Sequence, residues 1–559
     1  MFLPLCLIAA VAIPLTSTNE VSPLSKLLYK KPVSALNPKQ PTLASTNSEV
    51  DDVVTEAEEA MESTFYDPKL PQYWYWSPYD AQAEMPHTIQ EFKHASGNWL
   101  GFRDTLDKRG IEFSTTYTCD IAGNPVGGKI PGGFTYMDNL ALGCLVETEK
   151  LLGWHGGYFM VSGAQRDGIS LSQKNIKNQF IVQQVSGIGA GAETFHFYEL
   201  SYQQYFLKDC LGKDRVGLKF GRVSAGDEFA ISPLYFLYMN KGIDAHPSAL
   251  ATNGRFSTYP NAVWGGRLKV NTTSTTVARL GVYQVTNPSV NGLNWNIYPS
   301  NGAMVVGQLN WNPEFFKSSS STTSSSRVLS KLAYADGVQG ADGAQNRNVY
   351  GIPEGSSTGA TKQSAAEVEI RKKSKKEPSS DNHYKTTTEV KNGKGLIGHY
   401  WMGGYYSSWE YPQFNSKLKT PNAYGLYWHA DQMVYRPNPK EDTGLVLWSA
   451  YTLCPQENIS LLPFQVTGGS IYTGLIPGRK EDFTIAGFTY GNFSTSYAGV
   501  QRKLLKPNPT YELVYEFGYR VNMTKFFYVQ PDLQWVINPA GTGTIPNAVV
   551  LGAQMGVIF

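Results

Sequence analysis

The feature that most constrains this chain is a period-two alternation. Val549, Leu551, Ala553, Met555, Val557 and Phe559 interleave with Val550, Gly552, Gln554, Gly556 and Ile558. Successive side chains of a strand point to opposite faces, so this spacing predicts a strand with one wholly apolar face. The stretch Tyr511 to Met523 sharpens the point. Tyr511, Leu513, Tyr515, Phe517, Tyr519, Val521 and Met523 share one face, while Glu512, Val514, Glu516, Gly518, Arg520 and Asn522 share the other. A soluble sandwich would turn the apolar face into its core. A membrane barrel turns it toward lipid and the charges toward a wet lumen. The length decides for the barrel, because a strand crossing a tilted bilayer needs ~9–11 residues and a soluble strand usually has ~5–6.

The same alternation, broken by Gly, Pro and Asn, predicts strands near 111–120, 138–149, 156–165, 194–207, 215–223, 263–271, 276–285, 303–312, 397–407, 424–435, 444–453, 463–473, 482–491, 511–523, 525–537 and 547–559. Sixteen is an even number, as a closed barrel with both ends in the periplasm requires. With the first strand running outward, the even-to-odd connections should be short periplasmic turns. Those around Thr272–Thr275, Pro437–Asp442, Gly474–Glu481 and Thr524 are short, while Arg166–Glu193 and Ser224–Ala262, on the other side, are long. One connection breaks the rule. A Ser/Lys-rich insert at 317–395, expected to be flexible, falls on the periplasmic side, unless the strand count slips near it.

Size alone, 559 residues, would suggest three or four domains, but no such division is visible in the strand pattern. The expected organisation is an export signal over 1–18, a periplasmic extension over 19–97 and an all-β, transmembrane antiparallel barrel of about sixteen strands over 98–559. No apolar run is long enough for a helical span. A formal net charge of +2 and 17% charged residues offer no basic face, so nucleic acid is not an expected partner. Aromatics at 13%, led by 34 tyrosines, suit lipid-facing strands and interfacial girdles.

The order of local motifs along the chain resembles the carbohydrate-selective porins of the OprB family. The pieces are Asn98-Trp-Leu-Gly-Phe-Arg103, Lys150-Leu-Leu-Gly-Trp-His-Gly-Gly157, Tyr198-Glu-Leu200 with Gln204, and Gly221-Arg-Val-Ser-Ala-Gly-Asp-Glu-Phe-Ala230. They continue with Tyr259-Pro-Asn-Ala-Val-Trp-Gly-Gly-Arg267, Asp431-Gln-Met-Val-Tyr-Arg436, Gly474-Leu-Ile-Pro-Gly-Arg479 with Asp482, Val529-Gln-Pro-Asp-Leu-Gln534 and Asn538-Pro-Ala-Gly-Thr-Gly543. The resemblance spans roughly Trp99 to Phe559 and implies a sixteen-stranded outer-membrane barrel that conducts sugars by diffusion.

Parity assigns the residues expected to line the pore and bind substrate: Glu199, Gln203, Lys219, Arg267, Lys269, Arg279, Glu512, Glu516, Arg520, Gln530, Asp532 and Gln534. On the lipid face each Lys or Arg would cost ~2–4 kcal/mol at the midplane, which gives the assignment an energetic basis. Carboxylates and planar charged donors suit a sugar path, since they replace several water hydrogen bonds at once without holding the ligand too firmly. Arg222, Asp227 and Glu228 flank a long outer loop and are candidates for a constriction, or else for ion pairs at the rim. Arg479 and Asp482 are expected to brace a periplasmic turn, and Phe559 is read as an assembly signal.

Catalysis is not expected. Glu512 and Glu516 lie ~13–14 Å apart on one strand face, beyond either glycosidase geometry. The histidines lack zinc spacing, the cysteines form no C-x-x-C pair, and Gly187-Ile-Gly-Ala-Gly191 lacks the strand-to-helix context of a nucleotide loop. No metal or cofactor is expected. Cys119 and Cys144 share a parity, so a cross-strand disulfide or two lipid-facing thiols are both open. The partners expected are small sugars, outer-membrane lipids, the barrel assembly machinery and, as one possibility, further copies of the chain. The competing function is a structural or adhesion barrel with surface-binding loops and little conduction.

Overall fold

The structure is a computed structural model that describes residues 93–559, apart from 186–193, 209–213, 274, 286–291, 299–300, 317–394, 439–440 and 442. The expected export signal, nearly all of the amino-terminal extension, the Gly187–Gly191 run and the insert short of Gly395 lie outside the described residues.

Sixteen long strands follow one another in chain order. They are β1 (Ile111–Val126), β2 (Gly133–Glu147), β3 (Gly157–Gly168), β4 (Thr194–Lys208), β5 (Asp214–Val223), β6 (Val263–Asn271), β7 (Thr276–Gln284) and β8 (Ala303–Trp311). The second half comprises β9 (Leu396–Ser407), β10 (Ala423–Tyr435), β11 (Gly444–Leu453), β12 (Phe464–Thr473), β13 (Phe483–Asn492), β14 (Tyr511–Asn522), β15 (Phe527–Ile537) and β16 (Ala548–Ile558). Each pairs antiparallel with its chain neighbour, and β1 returns to β16 through Thr116 opposite Ile558 and Cys119 opposite Met555. Closure leaves the ladder no free edge and satisfies every spanning backbone group inside the sheet, the condition for a strand structure in hydrocarbon.

All sixteen expected strands are present, and the count does not slip at the insert. The connection containing 317–394 joins β8 to β9 at the barrel end that carries the short turns after β6 and β14. The Arg479 guanidinium grips Asp482 with two bonds of 2.8 Å, and Asp482 also accepts from the Tyr519 hydroxyl and the Asn522 amide. That carboxylate therefore ties the β12–β13 turn to β14.

Alternation sorts the side chains. On β14, Tyr511, Tyr515 and Phe517 are exposed while Glu512, Glu516 and Arg520 are fully buried. On β15, Leu533 and Trp535 are exposed while Gln530, Asp532 and Gln534 are buried. The apolar belt continues round the outside with Phe220, Leu268, Leu280, Leu309, Met402 and Leu447. An outward apolar band over an inward polar face is the inverse of a soluble protein and matches a barrel immersed in lipid. Cys119 and Cys144 stand opposite Asp138 and Phe113 in the β1–β2 ladder, well apart from each other, and both are free thiols.

Candidate functional site

The interior is not left to water. Two connections from the long-loop end fold back into it: 169–185, between β3 and β4, and 224–262, between β5 and β6. The second carries the apolar run Phe229, Leu234, Tyr235, Leu237 and Tyr238, all buried. These apolar side chains have no lipid to face at that place in the chain, so they pack against rings and aliphatic groups from β9 to β13.

One wall of the site is built by β4, β5, β6 and β7. Lys219 donates to Glu199 at 2.8 Å and to Glu228 at 2.9 Å. Arg267 donates through Nε to Glu228 at 2.8 Å and through Nη2 to Gln203 at 3.0 Å. Arg279 adds a bond of 2.8 Å to the Glu228 carbonyl. Alternate positions on paired strands bring these cations together, and the folded-back segment supplies the carboxylate between them. Burial pushes the Glu228 carboxyl up, but Arg267 and Lys219 outweigh it and hold the group at about 2. Lys269 is buried on the same inner face.

Across the barrel, β14 and β15 hold the other side of the same segment. The Met239 and Asn240 amides donate to Glu516 at 2.5 and 3.1 Å, and the Asn240 side chain donates to Gln534 at 2.9 Å. Arg520 donates to the Phe236 carbonyl and Gln530 to that of Leu237, at 3.0 and 2.9 Å. Glu512 instead accepts from the Gln179 and Phe180 amides, at 2.8 and 2.7 Å, and so anchors the 169–185 segment. Asp532 accepts from Gln534. The expected inward residues thus fall into two groups on facing walls, joined by the chain that crosses between them.

Arg222 and Asp227 stand apart from both groups. Asp227 accepts from the Tyr198 hydroxyl. Arg222 donates to the carbonyls of Asn294 and Ala262, at 2.7 and 3.0 Å, near the long-loop end.

Sequence reasoning overlooked a third anchorage. His429 lies between Tyr235, at 2.7 Å, and Asp431, at 2.8 Å, and Asp431 also bonds His399 at 2.9 Å. Trp401 stacks on His429 with ring centroids 4.8 Å apart. The signal was in the alternation of 424–435, where Tyr424, Leu426 and Trp428 are exposed and His429 and Asp431 are buried. Glycines shape the adjoining wall. A Cβ at Gly487 would come within 2.5 Å of the Tyr238 ring, and one at Gly469 within 2.6 Å of its hydroxyl. Their bare backbone lets that ring lie flat on β12 and β13, where Trp448 donates to the Tyr238 hydroxyl at 3.0 Å.

The arrangement can present charged donors, carboxylates and aromatic faces along a narrowed interior. Among the described residues no group of His, Cys, Asp and Glu could hold a metal ion. The model of the carbohydrate-selective porin, OprB family, matches residues 132–559. Porin B of Pseudomonas aeruginosa is 23% identical over 86% of this chain and 93% of its own length. The putative porin QuiX of Acinetobacter baylyi is 24% identical over 39% of this chain and 50% of its own. Among solved structures, the high-pH structure of Pseudomonas putida OprB superposes with a TM-score of 0.64 at 20% identity, covering 84% of this chain and 99% of that one, and so shares the fold. A closed sixteen-stranded barrel, a charged inner wall and a family match over most of the sequence have one reading: the chain is an outer-membrane carbohydrate porin and belongs to the OprB family.

Proposed function

We propose that carbohydrates diffuse through this barrel along a path narrowed by the 224–262 segment, and that the inward charges act in two capacities. Glu199, Gln203, Lys219, Arg267, Lys269 and Arg279 form one side of the path; Glu512, Glu516, Arg520, Gln530, Asp532 and Gln534 form the other. Both rows brace the folded-back segments, and through them set the width and the polarity that a sugar meets. Asp227 and Glu228 belong to the narrowing segment itself, and Arg222, on β5, stands at its long-loop end. The observation that carries this reading is the attachment of one segment to both walls, through Glu228 on one side and Glu516 on the other. Braced in this way, the narrowing keeps a fixed width and polarity, and conduction asks that the groups it presents hold a sugar's hydroxyls loosely enough to release them.

No chemistry is asked of these groups beyond hydrogen bonding, so the protein works as a channel and not as an enzyme. Lipid of the outer membrane covers the exposed belt of Phe220, Leu268 and Trp535. Homo-oligomers, where they form, would use that same outer surface and leave each lumen intact. Phe559, whose amide donates to the Thr115 carbonyl at 2.9 Å while its ring stays partly exposed, is the residue the assembly machinery would read.

The test is single-channel recording in planar bilayers with increasing sugar. Channels whose current falls as sugar is added support the reading, and the double substitution Arg267→Ala with Arg520→Ala should weaken that block. A barrel that inserts and conducts neither ions nor sugars would instead be a structural or adhesion protein.

A further inference from the structure

At the long-loop end, between the last part of the 224–262 segment and residues 292–298, the barrel holds a cavity of about 320 Å³. That is the lower end of the size range of small-molecule sites, ~300–1,000 Å³. Its wall includes Arg222, Arg255, His196, Asn261, Trp264 and Tyr298, and among the described residues no Asp or Glu lines it. The charge on this wall therefore has one sign.

Arg222 makes that sign consequential. It is 3% exposed, yet its terminal nitrogens donate to carbonyl oxygens of Asn294 and Ala262, its guanidinium lies 5.5 Å from the Trp295 ring centroid, and its Nε has no hydrogen-bond partner. Among the described residues no carboxylate is set against it. Lys219 and Arg267, equally buried, each have a glutamate. A buried cation without a counter-charge is costly, and an anion brought into the cavity would offset that cost. Arg255 lines the same cavity 4.5 Å from the Trp409 ring centroid. Asn261 offers a side-chain oxygen, also without a partner, for a hydroxyl, and the Trp264 and Tyr298 rings offer apolar faces of the kind a pyranose can cover.

We propose that this outer cavity is a capture site for acidic monosaccharides, pyranoses bearing a carboxylate or a phosphate. The guanidinium of Arg222 attracts the acid group, Arg255 adds a second positive charge, and the amide and rings hold the sugar. The proposal rests on the carbohydrate-porin reading and adds the charge class of the preferred substrate.

Calorimetry on the full-length protein in detergent, with glucuronate, glucose 6-phosphate, glucose and acetate, tests it. Glucuronate or glucose 6-phosphate should bind about tenfold tighter than glucose, and acetate should compete weakly. The tighter of the two acids identifies the acid group. Arg222→Gln and Arg255→Gln should each erase most of that preference. Arg222 holds loop backbone, so its variant is read only where the barrel still shows heat-modifiable migration; Arg255, which is partly exposed, carries the test otherwise. Equal affinity for glucose and glucuronate, competition by acetate as strong as by glucuronate, or a preference untouched by Arg255→Gln would each overturn the proposal. Swelling of liposomes in glucose reports separately on the porin reading. Failure to swell would refute conduction, while a preserved preference for the acids would leave the site standing.

Discussion

Substituting Glu228→Gln should release the narrowing segment without harming the barrel. The magnitude follows from the site. An ordinary glutamate titrates near 4.5, and this one is held at about 2. At ~1.4 kcal/mol per tenfold, that displacement corresponds to about 3 kcal/mol of favourable interaction for the ionised form. Removing one partner of a buried ion pair costs a similar ~3–5 kcal/mol. The loss falls on the attachment of 224–262 to β5 and β6 and leaves the closed ladder of sixteen strands intact. The population with the segment detached should therefore rise about a hundredfold, as 3 kcal/mol is roughly two decades. Native-state hydrogen exchange reads this directly: amides in 225–243 should exchange about a hundredfold faster while β14 to β16 amides keep their protection. Conductance should become larger and noisier. Unchanged exchange in the segment, or equal acceleration in the strands, would refute the idea that this carboxylate holds a separately opening element.

The sign of the pH dependence follows from the same displacement. A depressed carboxylate contributes stability that is in place above about 4.5 and lost as pH falls through about 2, so Glu228 itself should leave conductance flat from pH 5 to 8. His246 behaves differently. Burial first, and then the charge of Lys241, push this histidine down from 6.5 to about 3, and Asp227 and Tyr259 face the same small space. Its stabilising share is complete above about 6.5 and is lost as pH falls toward 3, which amounts to about 2 kcal/mol at pH 5. Protection of the segment should fall between pH 7 and pH 5, and His246→Gln should abolish that slope in hydrogen exchange. Gly487→Val should displace the Tyr238 ring, which a Cβ would meet at 2.5 Å, and widen the channel in single-channel records. Glu512→Gln should weaken the hold on the Gln179 and Phe180 amides and speed their exchange by about tenfold, with little change near Glu228.

Strands, their number and their facing were legible in the sequence because alternation is local: Glu516 and Phe517 point apart whatever else the chain does. Even the insert's placement between β8 and β9 could be read by counting. The roles of the inward charges were not legible. Glu512 bonds the amide of Gln179, 333 residues away in sequence, and Asn240 bonds Gln534, 294 residues away. No periodicity records such a pairing, because the folded-back segments hold only short helical turns between irregular stretches. For the same reason, Asp431 and His429 on β10 were missed although their parity was readable, since only the arrival of Tyr235 at His429 makes the pair an anchorage for the folded-back segment.

By itself, then, the sequence determined an inverted barrel, apolar outside and charged within, since lipid and water impose opposite demands on the two faces of one strand. Only the tertiary structure decided what those charges meet. Closing the sheet left a row of buried cations and carboxylates that water alone could not satisfy once the loops turned inward. The loops' own backbone amides, together with Glu228, became their partners.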